Sequence, residues 1–466
     1  MAAEKERIGN VSDRPNILFL MSDEHRPDVV GYEGDAVVRT PVLDELARTG
    51  TVFRNAYTPS PICVPSRQCM MAGQLPKTCG CEGWTDLKPG YLTFSRLFSR
   101  YAYRTVCCGK LHHQGFDQMQ GWTDRPAGDI QVSAPHIEGK VDAEFKKHQR
   151  PFGDFKWSDA KEVKRAGVGV SHLTNWDQEW TDTALRFVEE YFNNAPYDRE
   201  QTQPIMLKVS LVQPHYPYQA DAEKFGYYLN RVTPFLDEPV SEHPFLRRRQ
   251  VVPGTDALER ELRRATAAYY GMIETIDSHY GRVIDALRYV GQDLDDWIIV
   301  YTSDHGEMLG EHGIWEKQKF YEGSARVPLV IRWPNGFAGG REIDANVNLC
   351  DLFATFCDMA ELPIPEGLDS RSLTPLLNGD SSGWNDESVS QFGPHNLMIK
   401  QGALKYQYYG PDMPEALFDL DKNPEETVDF IDAPEYADTL TRFRRRLSEL
   451  GHGPDADPDY RNAGYV

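Results

Sequence analysis

Apolar residues fall into short unbroken runs, separated by stretches with helical spacing. Ile17 to Met21 is one such run, the pattern of a strand buried on both faces, and it stops at Ser22-Asp23-Glu24. Pro41 to Thr49 sets Val42, Leu43, Leu46 and Ala47 at helical spacing, with Gly50 as a stop signal. Thr51 to Ala56 reads as a strand, and Pro65 to Gly73 as a helix with its proline near the start. Tyr91 to Tyr101 predicts a helix, and Tyr103 to Cys108 a strand entering Gly109-Lys110. Pro204 to Val212 is a further buried strand, ending at Gln213-Pro214-His215. Asp256 to Val290 is a long amphipathic helix. Trp297 to Thr302 and Val327 to Trp333 are strands, the first ending at Ser303-Asp304-His305. Gln391 to Tyr409 alternates in the manner of antiparallel strands, with Gly393 and Gly402 at the turns. Residues 1–14 read as a frayed leader, and the aromatic, polar residues 113–200 as a long irregular insertion.

Strands alternating with helices predict an α/β fold, a large, mostly parallel sheet sandwiched by helices. That catalytic layer is assigned to residues 1–365, and residues 366–466 to a smaller α+β subdomain with a small antiparallel sheet. In parallel sheets ligands gather beyond the carboxyl ends of the strands. Asp23, Lys110, His215 and Asp304 each lie just past a predicted strand, so the pattern alone points to one functional edge.

Composition narrows the class. Apolar residues make up 40 % of the 466 and aromatics 11 %, enough for a packed core. The 50 basic and 71 acidic residues give a net charge of −21, which argues against general nucleic-acid binding and against adhesion to anionic membranes. A small anionic substrate remains compatible, because a local cluster of cations can oppose the net field. The N-terminal Met-Ala-Ala-Glu-Lys-Glu-Arg lacks the apolar core of a secretory signal, and no stretch approaches the ~20 apolar residues of a membrane span. A cytoplasmic protein is expected, and an acidic surface does not forbid a homo-oligomer. The eight cysteines lack zinc-ribbon spacing; Cys79, Cys81, Cys107 and Cys108 read as buried apolar thiols.

The chemistry concentrates in a few residues. Asp23 and Asp304-His305 offer two carboxylates and an imidazole from separate strands, with Glu24 as a possible third carboxylate. Hard oxygen donors suit Ca²⁺ or Mg²⁺, and an imidazole tilts the choice toward Mn²⁺. An aspartate after a strand also serves as a helix cap, a reading that weakens when several share one edge. Arg67, Lys110, Lys317, His112 and His215 form a cationic set suited to a sulfate or phosphate ester, whose non-bridging oxygens stay charged. Taken singly, each lysine or arginine is an ordinary solvated charge. Cys63 directly precedes a predicted helix, where the helix end is expected to lower a thiol pKa, and it is a candidate nucleophile.

These residues resemble the formylglycine-dependent sulfatases of the alkaline phosphatase superfamily. Cys63-Val64-Pro65-Ser66-Arg67 matches the C-x-P-S-R signature that directs oxidation of the cysteine to formylglycine. The resemblance continues through Pro15 to Asp23, Gly109-Lys110-Leu111-His112, Pro214-His215-Tyr216-Pro217, Ser303-Asp304-His305-Gly306 and Lys317 to Pro328. It resumes at Leu368 to Leu373 and at Leu417 to Glu426, so it spans nearly the whole chain outside 113–200. It implies that formylglycine 63 is hydrated to a diol, that one hydroxyl attacks sulfur, and that the second then expels sulfate. It assigns Asp23, Asp304, His305 and residue 63 to one divalent metal. It sets Arg67 and Lys110 to hold the diol, His112 to accept its proton, and His215 and Lys317 to bind the ester oxygens. The implied partners are a formylglycine-generating enzyme during maturation and a small sulfate ester of a sugar, an aryl alcohol or choline.

Two departures bear on substrate and metal. Many sulfatases carry Asp-Asp where this chain has Asp23-Glu24, and Asp-Asn where it has Asp304-His305. The Asp-His form resembles the choline sulfatase and phosphonate monoester hydrolase branch. The alternative reading is therefore a phosphonate monoester hydrolase or phosphodiesterase with the same formylglycine. A two-zinc phosphatase needs Ser or Thr at position 63 and a second ligand set, neither of which the sequence offers. A catalytically inactive anion-binding homologue would need Cys63 to stay unmodified. The 113–200 region, with Trp157, His172 and Trp176, suits a rim over the alcohol group or a plain exposed insertion.

Overall fold

The computed structural model describes residues 14–129, 159–194, 203–239, 241–454 and 456. Trp157 and nearly all of the leader lie outside them. The central sheet has eight strands: β1 (Ile17–Asp23), β2 (Thr51–Phe53), β3 (Arg104–Gly109), β4 (Asp124–Gly128), β5 (Ile205–Pro214), β6 (Ile298–Ser303), β7 (Leu329–Arg332) and β8 (Arg341–Ile343). Their order is β8-β2-β7-β6-β1-β5-β3-β4. β7 runs antiparallel to both neighbours, and the other pairs are parallel.

β1 shows why this sequence takes a central place. A strand alternates its side chains between two faces, and both faces of β1 are covered. Ile17, Phe19 and Met21 pack with Met70, Phe94, Phe353 and Phe356, which come from α2 (Cys63–Ala72), α3 (Phe94–Arg100) and a C-terminal helix. Leu18 and Leu20 pack on the opposite face with Leu43 of α1 (Pro41–Thr49), Val188 of α4 (His172–Asn194) and Ile276 of α5 (Glu259–Tyr289). Each such fully buried side chain contributes about 1.5–3 kcal/mol. The C-terminal helix of the first face is α6 (Asp351–Met359).

The region read as an irregular insertion contributes to this sheet. β4 extends its edge beside β3, and Val188 of α4 packs into the β1 core. α2 begins at Cys63, two residues before the predicted start, so Pro65 sits in the first turn where its missing N–H is tolerated. The strand expected over 51–56 is split between β2 and a short pairing at Ala56–Tyr57. Beyond α6, β9 (Glu387–Phe392), β10 (Asn396–Gln401), β11 (Leu404–Tyr409) and β12 (Ala416–Asp419) form an antiparallel sheet in sequence order. α7 (Ala437–Glu449) packs its Leu440 and Phe443 on that sheet. No helix among the described residues is long and apolar enough to cross a membrane.

Candidate active site

Parallel pairing of β3, β5, β1 and β6 sets their carboxyl ends side by side, and Ser22 of β1 is in register with Ser303 of β6. Asp23 and Asp304 therefore emerge next to each other. Arg67, on the first turns of α2, joins them. Its Nη2 donates to Asp23 Oδ2 at 3.0 Å and its Nε to Asp304 Oδ2 at 2.7 Å. Its Nη1 donates to the Lys110 carbonyl and to Ser210 Oγ. Lys110 Nζ lies 2.6 Å from Asp23 Oδ2. Burial alone would raise the Asp23 carboxyl, but Lys110 and Arg67 outweigh it and hold it well below the ordinary aspartate range.

Two glycines make these approaches possible. A Cβ on Gly109 would stand 1.9 Å from the Ser210 carbonyl oxygen, and Gly109 has φ +113°. A Cβ on Gly306, just past His305, would stand 2.0 Å from the Gly323 carbonyl oxygen.

Cys63 opens α2 and points its thiol into the same group. Sγ lies 3.1 Å from His305 Nε2 and 3.5 Å from Asp23 Oδ1. Donor atoms of Asp23, Cys63, Asp304 and His305 all fall within 4.8 Å of one another, and all four residues are buried. His305 Nδ1 bonds to the Gly306 carbonyl, so that nitrogen carries the proton and Nε2 faces the group with its lone pair. Two carboxylates and an imidazole lone pair converging on one point fit a divalent cation. The expected low thiol pKa is not found: burial and the neighbouring Asp23 charge push Cys63 up to about 11. Together they outweigh the Lys110 and Lys317 charges, and the unmodified thiol is a poor nucleophile at neutral pH.

Glu24, the expected third carboxylate, is not one of these four donors but belongs with Asp23 and His215 to a second group able to hold a cation. Its Oε2 accepts from Lys317 Nζ at 2.6 Å and lies 3.6 Å from His215 Nε2. Burial opposes the Lys317 charge, yet the neighbouring Cys63 and Glu24 hold the ammonium well above the ordinary lysine value. His215 Nδ1 bonds to the Tyr216 carbonyl, and burial, reinforced by Lys317, keeps the ring neutral. His112 is neutral as well, through burial and the Lys110 charge, and its Nδ1 has no hydrogen-bond partner. Residues from separate strands thus meet: Cys63, Arg67, Asp23, Lys110, Asp304 and His305 form one cluster, with His112, His215, Glu24 and Lys317 beside it.

Two carboxylates escaped the sequence reading. Asp129 accepts the backbone N–H groups of Leu111 and His112, both at 2.8 Å. Asp177 of α4 accepts those of Val212 and Gln213, at 2.6 and 2.8 Å, just before His215. Each fixes a strand end that carries a site histidine. Neither sits in a motif, and only the tertiary contact reveals the role.

The sulfatase family model matches residues 15–362, and the model for the C-terminal region of N-sulphoglucosamine sulphohydrolase matches residues 310–452. A choline-sulfatase of Rhizobium meliloti is 32 % identical over 92 % of this chain and 86 % of its own. An arylsulfatase of Clostridium perfringens is 29 % identical over 93 % of this chain and 94 % of its own. The phosphonate monoester hydrolase of Agrobacterium radiobacter has the same fold, with a TM-score of 0.75 over 94 % of this chain and 95 % of that one, at 22 % identity. Family match, fold and the converging motif residues agree: this chain belongs to the sulfatase family, hydrolases of sulfuric esters within the alkaline phosphatase superfamily.

Proposed function

We propose that this sulfatase cleaves the sulfate monoester of a small alcohol, using a formylglycine made from Cys63 and one divalent cation held by Asp23, Asp304, His305 and residue 63. The observation that carries the reading is the position of the Cys63 side chain, at the start of α2 and within 4.8 Å of all three other donors. When present, the hydrated aldehyde supplies the attacking oxygen, and Ca²⁺, Mn²⁺ or Mg²⁺ supplies Lewis-acid polarisation.

The chain's own residues do the rest. Arg67 holds Asp23 and Asp304 in place, and Lys110 pairs with the same Asp23 oxygen. His112, neutral and with a free Nδ1, accepts the nucleophile's proton. Lys317 and His215 bind the non-bridging and leaving oxygens, where fixed donors act most strongly in a water-poor site. Sugar, aryl and choline sulfates are the substrate candidates, and a formylglycine-generating enzyme is the maturation partner. Asp304-His305 motivates one competing reading, a phosphonate monoester hydrolase or phosphodiesterase on the same machinery.

The test is a peptide mass spectrum across Cys63, on protein co-produced with a formylglycine-generating enzyme, beside assays on an aryl sulfate and an aryl phosphodiester. Conversion should track activity, with the sulfate turned over faster. Cys63→Ala should lose activity by about a thousandfold or more while remaining folded. Activity within tenfold of wild type would end the formylglycine account, and a faster diester would favour the competing reading.

A further inference from the structure

An exposed tryptophan beside a catalytic side chain calls for an occupant. Among the large apolar side chains that the described residues leave exposed, Trp84 alone is in ring contact with a site residue. It is 47 % exposed, and its ring centroid lies 5.5 Å from that of His112 with the planes at 74°. His112 itself is buried. The indole thus stands where a buried site group meets solvent. The ester-binding side is also walled by an aromatic ring. Tyr216 lies 4.1 Å from the His215 ring and 5.2 Å from Lys317 Nζ, centroid distances for the ring in each case. The charged groups of the site are engaged with one another, which leaves these rings as apolar surface for the remainder of a substrate.

We infer that Trp84 is a specificity-determining residue that receives a ring in the alcohol portion of the ester. This rests on the sulfatase reading above and names its substrate class. The ring is a flat aryl group or the apolar face of a pyranose; both present C–H and carbon surface to an indole. Polar contacts at the sulfate end orient the ester, and the indole selects what the ester is attached to.

The experiment compares wild type, Trp84→Ala and Trp84→Phe on an aryl sulfate, a monosaccharide sulfate and ethyl sulfate. The ratio of kcat/KM for ring-bearing over ethyl sulfate should fall about tenfold in Trp84→Ala, chiefly through KM, and recover largely in Trp84→Phe. The arm that falls more, aryl or sugar, identifies the ring. An unchanged ratio overturns the inference, including the case where all three rates fall together because Trp84 merely props His112. Calorimetric binding of an aryl sulfonate and of ethanesulfonate to the same proteins separates this inference from the proposed reaction. If no sulfate ester is turned over, the reaction fails. A preference for the aryl sulfonate that disappears in Trp84→Ala still supports the ring site, and equal affinity for both sulfonates overturns it.

Discussion

The guanidinium of Arg67 is enclosed by acceptors from four strands: carboxylates at the ends of β1 and β6, the Lys110 carbonyl just past β3, and the Ser210 hydroxyl on β5. It is 1 % exposed, as a charge can be only when paired on every side. Arg67→Met should leave Asp23 and Asp304 facing each other and cost about 3–5 kcal/mol of stability, measured by urea unfolding in chelator. Added Ca²⁺ or Mn²⁺ should restore part of it, since the two carboxylates then share a cation; a loss indifferent to cation would detach Arg67 from the ligand pair. The motif residues were legible because ester transfer uses few side-chain types and places them just past strands. The pKa of Cys63 and the Lys317 partner of Glu24 were not, since both depend on residues that only the fold brings near, Asp23 for Cys63 and Lys317 for Glu24. Asp129 and Asp177 were hidden for the same reason.

At the scale of elements, α1 takes its cap from another helix. Thr40, at its N-cap position, makes no capping bond; Asp277 of α5 instead accepts the N–H groups of Val42 and Leu43 at 3.2 and 2.9 Å. Burial raises the Asp277 carboxyl from 3.8 to about 7. The folded chain therefore holds this proton more tightly than the unfolded one. The stability it contributes is present at low pH and declines as pH rises from about 4 to about 7. The difference in unfolding free energy between wild type and Asp277→Asn should drift against wild type across that window and level off above it. A difference that stays constant from pH 4 to 8 would refute the assignment. Buried strands such as β1 and β6 were readable because both faces need apolar residues. α4 was not, because several of its inward positions are small or polar, among them Asp177, Thr181 and Ala184. β4, Asp-Arg-Pro-Ala-Gly at the sheet edge, carries no apolar alternation at all.

Across the whole molecule, a buried lysine is one of the ties between the C-terminal sheet and the catalytic layers. Lys405 of β11 lies within ion-pair distance of Glu322 and of Glu426, and Glu426 also accepts the N–H of Glu322. Glu322 follows Lys317 by five residues, so this junction supports the active-site segment from behind. Lys405→Met should cost about 3–5 kcal/mol in urea unfolding by stranding the buried Glu426 carboxylate, while Glu322 keeps Arg326. A loss under about 1 kcal/mol would mean that Glu426 sheds its charge by taking up a proton. The pairing of every base at the catalytic edge has a further consequence. Arg67, Lys110 and Lys317 are matched by Asp23, Asp304 and Glu24, so an anion arriving alone finds no spare positive charge. A divalent cation would supply that charge, and the two ligands would then be thermodynamically linked. Sulfate should bind more tightly with cation present, by about 5–150-fold, and the cation should gain the same factor from sulfate. Calorimetric titrations in both orders would show the equality, and a sulfate affinity unmoved by chelator would break it. With both ligands so coupled, the enzyme would discriminate against empty encounters, recognising a salt and not an ion.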